Sequence, residues 1–163
     1  MKTNLTVKER LLLEDQKSHE EICIEKYTNY SDMASDPQLK DLFKNHAKIE
    51  QEHLNTINQL LNGQIPAMSN QQGGNNANQQ QLQQQINKSQ AQNNSFHNQT
   101  TDKNLCTDML MTEKYVSGTY DTAIFEFKDT QVRDVLNHIQ KEEQKHGEAI
   151  YKYMQSKGMY TPQ

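Results

Sequence analysis

An all-α four-helix bundle is predicted by three features of this 163-residue chain. Apolar residues recur at three- and four-residue spacing along four long stretches, the period of one helix face. The stretches form two pairs, each joined across a short break that carries an aspartate suited to capping a helix. The second pair repeats the first at an offset of 93 positions. Between residues 8 and 63, 12 of 56 positions are identical to their counterparts. That is roughly three times what chance would give, and it marks a duplicated helical hairpin.

The first helix is expected from about Thr6 to Ala34, with an inward stripe of Leu12, Gln16, Glu20, Cys23, Tyr27, Tyr30 and Ala34. It breaks at "ASDP", where Asp36 can cap the next helix and Pro37 suits its first position. The second helix is expected from about Pro37 to Asn62, with Leu39, Phe43, His46, Glu50, His53, Ile57 and Leu60 on its stripe. Gly63 and Pro66 end it. The third carries Leu105, Met109, Glu113, Val116, Tyr120, Ala123 and Phe127. Asp129 caps the fourth, whose stripe is Val132, Leu136, Ile139, Glu143, His146, Ile150 and Tyr153, with Gly158 placed to stop it.

The chain therefore reads as one domain, residues 1–163: hairpin one over 5–62, a crossover over 63–101 and hairpin two over 102–158. The crossover is of low complexity. From Ser69 to Gln99, 19 of 31 residues are Asn or Gln, and this tract accounts for much of the low mean hydropathy of −1.06. Such a tract cannot offset the entropy of ordering and is expected to be mobile, with a transient helix near Leu82 and Ile86. Thirty-nine residues can span a bundle on the order of 45 Å long, as a ferritin-like connection requires. An up-and-down bundle with a disordered insert is the alternative.

Composition excludes some functions. The net charge is −4, the pI is near 5.8, and no basic block recommends nucleic acid as a partner. No apolar run is long enough to span a bilayer. The stretch "MKTNLTVKER" lacks the hydrophobic core of a signal peptide, so synthesis in the cytoplasm is expected. Cys23 and Cys106 are too few and too widely spaced for a disulfide framework or a zinc knuckle, and read as reduced core thiols.

The charged residues on the inward stripes carry the chemistry. Glu20 lies about 15 residues before the first turn and Glu50 about 14 after it, so at 1.5 Å per residue the two stand level. His53 follows Glu50 by one turn on the same face. Glu113, Glu143 and His146 repeat this arrangement in the second hairpin. One Glu from each of two helices and Glu-x-x-His from each of the other two is the ligand set of a dinuclear carboxylate centre. Hard carboxylate oxygens with imidazole favour iron or manganese. Two readings follow: the six residues hold two metal ions, or they are a relic polar core satisfied by mutual hydrogen bonds. His46 reads as a surface or core-edge histidine. Tyr27 and Tyr120 read as packing residues, with a hydrogen bond to the ligands as the alternative. His19, His97 and His138 read as solvated.

The second half resembles a known family. The segment "EFKDTQVRDVLNHIQKEEQKHGEAIYKYMQSKGMY" is similar to the spore coat protein F family of endospore-forming bacteria. The likeness rests on Gln131-Val-Arg133, Leu136, His146, Tyr151-Lys-Tyr153-Met154, Gly158, Tyr160 and Pro162. It covers about 60 residues closely and reaches the first hairpin only through the repeat. It implies a ferritin-like protein of the spore coat with a structural or assembly role and other coat proteins as partners; the Gln/Asn tract, whose polar side chains can pair with one another, adds an expectation of self-association. Family members often lack some of the carboxylates, and no catalytic activity is established for the family as a whole. This chain keeps all six candidates, so a dinuclear iron or manganese oxidoreductase, catalase- or ferroxidase-like, stands as the alternative.

Overall fold

The computed structural model describes residues 3–67 and 96–162. Most of the Gln/Asn tract, including Leu82 and Ile86, lies outside the described residues, as does the side chain of His97. Four α-helices, and no β-strand, occur among the described residues: α1 Val7–Met33, α2 Pro37–Leu61, α3 Phe96–Glu126 and α4 Thr130–Ser156. None is long and apolar enough to cross a membrane.

Local signals set the helix ends. The Thr6 side chain accepts from Glu9 N, and the Glu9 side chain accepts from Thr6 N at 2.7 Å, closing a capping box that starts α1. Asp36 caps α2 by accepting from Gln38 N, with Pro37 in the first turn. Asp129 caps α4 by accepting from Gln131 and Val132 N. Each such cap contributes about 1 kcal/mol. Gly63 (φ 72°) and Gly158 (φ 69°) take the left-handed conformation that closes α2 and α4. At Gly63 a Cβ would also meet Thr3 O at 2.9 Å.

One end of α3 departs from expectation. It begins at Phe96, six residues inside the expected crossover. No Gly or Pro interrupts 96–104, so the helix extends beyond its buried part, and Gln99 Nε2 reaches Lys157 O at 3.3 Å.

Side-chain contacts give the helix directions. Arg10 reaches Leu61 O, and Thr3 N donates to Gly63 O, so α2 ends beside the start of α1. Asp102 accepts from Ser35 N and Asp36 N, so α3 starts at the opposite end, beside the α1–α2 turn. Tyr153 OH and Lys157 Nζ both reach Asp36, bringing the end of α4 there as well. Thus α1 and α3 pack antiparallel, as do α2 and α4.

Glu9 and Asp102 form a matched pair that sequence reading missed. Glu9 accepts from Lys128 N at the α3–α4 turn, as Asp102 accepts from Ser35 N at the α1–α2 turn. These positions are related by the same offset of 93. Each turn is therefore held by a buried carboxylate from the other hairpin.

The stripes of α2, α3 and α4 are buried as expected. On α1 the face is rotated slightly: Leu13 and Ser31 are buried, while Leu12 and Tyr30 only pack against the core edge. The apolar core forms two clusters. One includes Leu13, Ile57, Leu60, Leu136 and Ile139; the other includes Tyr27, Leu39, Phe43, Met109 and Ile150. Each fully buried large side chain contributes about 1.5–3 kcal/mol. Both cysteines are free and buried, and burial pushes the Cys106 thiol up to about 12. Between the two clusters, in register on all four helices, lie the charged residues.

Candidate metal centre

All six residues singled out in the sequence meet in this layer, and none is more than 3% exposed. Helix pitch brings them there. Glu20 and Glu113 sit on α1 and α3, and each i, i+3 spacing stacks a glutamate and a histidine on one face of α2 or α4. Their donor atoms form two overlapping sets. In the set of Glu20, Glu50, His53 and Glu143, one ligand atom from each lies within 4.8 Å of all the others. The same holds for Glu50, Glu113, Glu143 and His146.

Glu50 and Glu143 belong to both sets, and their oxygens divide between them. Glu50 Oε2 lies 3.3 Å from His53 Nδ1, while Glu50 Oε1 lies 2.8 Å from His146 Nδ1. Glu143 Oε1 lies 3.2 Å from His53 Nδ1, while Glu143 Oε2 lies 3.8 Å from His146 Nδ1. Glu20 Oε2 completes the His53 side at 3.6 Å, and Glu113 Oε1 the His146 side at 3.5 Å. Each shared carboxylate thus presents one oxygen to each histidine.

Proximity does not amount to pairing here. Buried atoms without an aligned hydrogen-bond partner include Glu20 Oε2, Glu50 Oε1, Glu113 Oε2, both Glu143 oxygens and both His146 nitrogens. His146 Nδ1 and Glu50 Oε1 are close, yet they are not oriented toward each other as donor and acceptor. Leaving such atoms unsatisfied costs about 1–3 kcal/mol each. Carboxylate oxygens and imidazole nitrogens converging in this way fit a hard or borderline divalent cation. The cluster could hold a metal ion.

Protons carry the charge balance in the cation-free protein. Burial, then Glu50, pushes the Glu20 carboxyl up to about 8 against the pull of His53. Burial keeps Glu113 well above the carboxylate range, with Glu143 adding to it. Burial also acts on Glu50 and Glu143, but the His146 and His53 imidazoles close beside them outweigh it and hold both low. Burial opposes the charge of His53 and His146, yet the surrounding carboxylates hold both imidazoles well above their ordinary value. These directions favour ionised Glu50 and Glu143 beside protonated His53 and His146, with Glu142, also held low, against His53.

The surrounding side chains correct parts of the sequence reading. Tyr27 OH donates to Glu113, and Tyr120 OH donates to Glu20, each across hairpins. These tyrosines orient the unshared glutamates as well as pack. His46 is 5% exposed and stacks on His146 with ring centroids 4.2 Å apart. Burial first, and His146 next, hold it well below its ordinary value, so it is neutral. Its place on the α2 stripe, opposite Ile139 in the repeat, was the signal for that burial. His138 is exposed as expected, whereas His19 is half-buried and meets the Tyr115 ring edge-on. Glu142 was not foreseen. It accepts from His53 Nε2 at 2.9 Å, and nothing in hairpin one points to it because its counterpart is Ile49.

No curated protein matches the chain. The family model described as the Coat F domain matches residues 101–163, which takes in α4 and most of α3. That span contains Glu113, Glu143 and His146, half of the charged layer. The second hairpin is thus the part of the chain that is similar to the Coat F domain.

Proposed function

We propose that the chain is a structural component of the spore coat, built as one ferritin-like domain that holds two iron or manganese ions between its hairpins. The coat assignment rests on the Coat F match. The ferritin-like reading is supported by the helix directions: α2 ends and α3 begins at opposite ends of the bundle. Other coat proteins are the partners this implies.

One observation carries the metal reading: Glu50 and Glu143 each offer one oxygen to each histidine, while neighbouring buried oxygens and nitrogens lack partners. A relic core satisfied by its own hydrogen bonds would not leave those atoms unmatched. Four carboxylates balance two divalent cations, with His53 and His146 as neutral donors through Nδ1. Elemental analysis of the purified full-length chain tests this. About two equivalents of iron or manganese per chain are expected, and Glu143→Gln should lose both. A metal-free wild type that stays metal-free after incubation with either ion would leave the coat role alone.

A second reading is a dinuclear oxidoreductase. It is favoured by the two buried phenols bonded to Glu20 and Glu113, which hold the unshared ligands in place in a layer closed to solvent. Two adjacent iron or manganese ions, when bound, supply paired one-electron couples for exchange with oxygen or peroxide. Dioxygen release from peroxide by the manganese-loaded chain, or oxidation of added Fe(II), separates this reading from a purely structural metal.

A further inference from the structure

The two halves of the charged layer share ligand types but not surroundings, and the difference lies behind the histidines. A neutral imidazole that ligates through Nδ1 carries its proton on Nε2. At His53 that proton has an acceptor, because Glu142 Oε2 lies 2.9 Å from Nε2. At His146 the buried Nε2 has no partner, and the ring lies against the buried ring of His46. The repeat makes this a departure from twofold likeness: Glu142 corresponds to Ile49, and His46 to Ile139.

Resting on the dinuclear reading above, we propose that the half-sites are inequivalent and fill in order, the Glu20–His53 half first, with Glu142 as the positioning residue that sets the order. A carboxylate on the far nitrogen fixes the ring's tautomer and orientation and makes its ligating nitrogen a stronger donor. Losing such a partner typically weakens metal affinity by about 10–100-fold. The His146 half has no such acceptor and must bury an unpaired N–H on binding. Glu50 and Glu143 contribute to both halves, so they cannot account for a difference between them.

The test is a calorimetric titration of the metal-free full-length chain with Mn(II), followed in parallel by electron paramagnetic resonance. Wild type should bind in two steps separated by about 10–100-fold. An isolated-ion Mn(II) signal should grow over the first equivalent and give way to a coupled signal over the second. Glu142→Leu, at a partly exposed position, should weaken the first step by that factor and merge the steps. Glu142→Gln, which still offers an acceptor oxygen, should keep part of the separation. His138→Gln removes the exposed ring 3.7 Å from the same carboxylate and should leave both steps unchanged. Two equal steps in wild type, or an unchanged separation in Glu142→Leu, would overturn the inequivalence while leaving the dinuclear site standing. No Mn(II) binding at all would overturn the dinuclear reading itself.

Discussion

Ligand sharing makes a graded prediction about metal-dependent stability. Glu143 belongs to both donor sets, whereas Glu20 belongs to one. Metal that binds only the folded chain stabilises it by about 2.7 kcal/mol per site at a free concentration 100 times Kd. Two sites therefore add about 5 kcal/mol, and for a chain of this size each kcal/mol raises Tm by about 2–4 °C. Saturating Mn(II) or Fe(II) under anaerobic conditions should raise the wild-type melting temperature by about 10–20 °C. Glu20→Gln should retain about half of that rise, and Glu143→Gln almost none. Differential scanning calorimetry with and without metal reads all three. An unmoved wild type refutes the site. Equal losses in the two variants refute the sharing of Glu143, and with it the single continuous layer.

Metal uptake should release about four protons for two ions, one each from Glu20, Glu113, His53 and His146, so affinity climbs steeply with pH; calorimetry in buffers of different ionisation enthalpy counts them. The cation-free protein should behave in the opposite sense. Glu20, raised to about 8, contributes stability below the ordinary carboxylate range that is lost as pH rises toward 8, while Glu50 and Glu143, held low, lose theirs as pH falls below about 4.5. Urea midpoints without metal should therefore peak near pH 5 and move upward in pH when metal is added. Asp102→Ala frees two partly buried turn amides and should cost about 1–3 kcal/mol in chemical denaturation without changing metal stoichiometry. Deleting residues 70–83 leaves about 20 residues between α2 and α3, enough to reach roughly 60 Å. Circular dichroism should then show helical content intact, and unfolding would refute the linker assignment.

Much of this architecture was legible because two kinds of sequence evidence agreed. On α2 and α4 the polar and apolar faces are cleanly separated, so each stripe residue could be named. On α1, Leu11, Leu12 and Leu13 are consecutive and all apolar. Spacing to Gln16 admits either Leu12 or Leu13, and the pairing of Leu12 with Leu105 in the repeat favoured the wrong one. Exposed Val7, Leu11, Ile22 and Met33 blur that helix further, as Met111, Tyr115 and Phe125 blur α3. The six central residues were legible because the repeat doubled a motif that is weak alone. What the repeat lacked was hidden: Glu142 faces Ile49 at its counterpart, so no doubled motif marked it. The Glu9 and Asp102 clasps escaped because they are not identical, although they do the same work at corresponding places.

The arrangement also answers why a helical protein would bury Glu-x-x-His twice. Neither hairpin can close either donor set. The His53 set takes Glu20, Glu50 and His53 from the first hairpin but needs Glu143 from the second; the His146 set takes three from the second and needs Glu50 from the first. The tyrosine bonds cross the same boundary in both directions, as do the two turn clasps. These polar contacts between the hairpins are thus reciprocal exchanges, with apolar packing on either side. An apolar layer of the same volume would bind the hairpins without the desolvation cost of four carboxylates. A cation held by both hairpins changes that comparison, because it compensates the buried charge and crosslinks the two repeats at one point. On the proposal that the layer holds one dinuclear site, the six Glu and His residues, with the phenols and the carboxylate beside them, are needed from both hairpins at once, which is why the motif occurs twice.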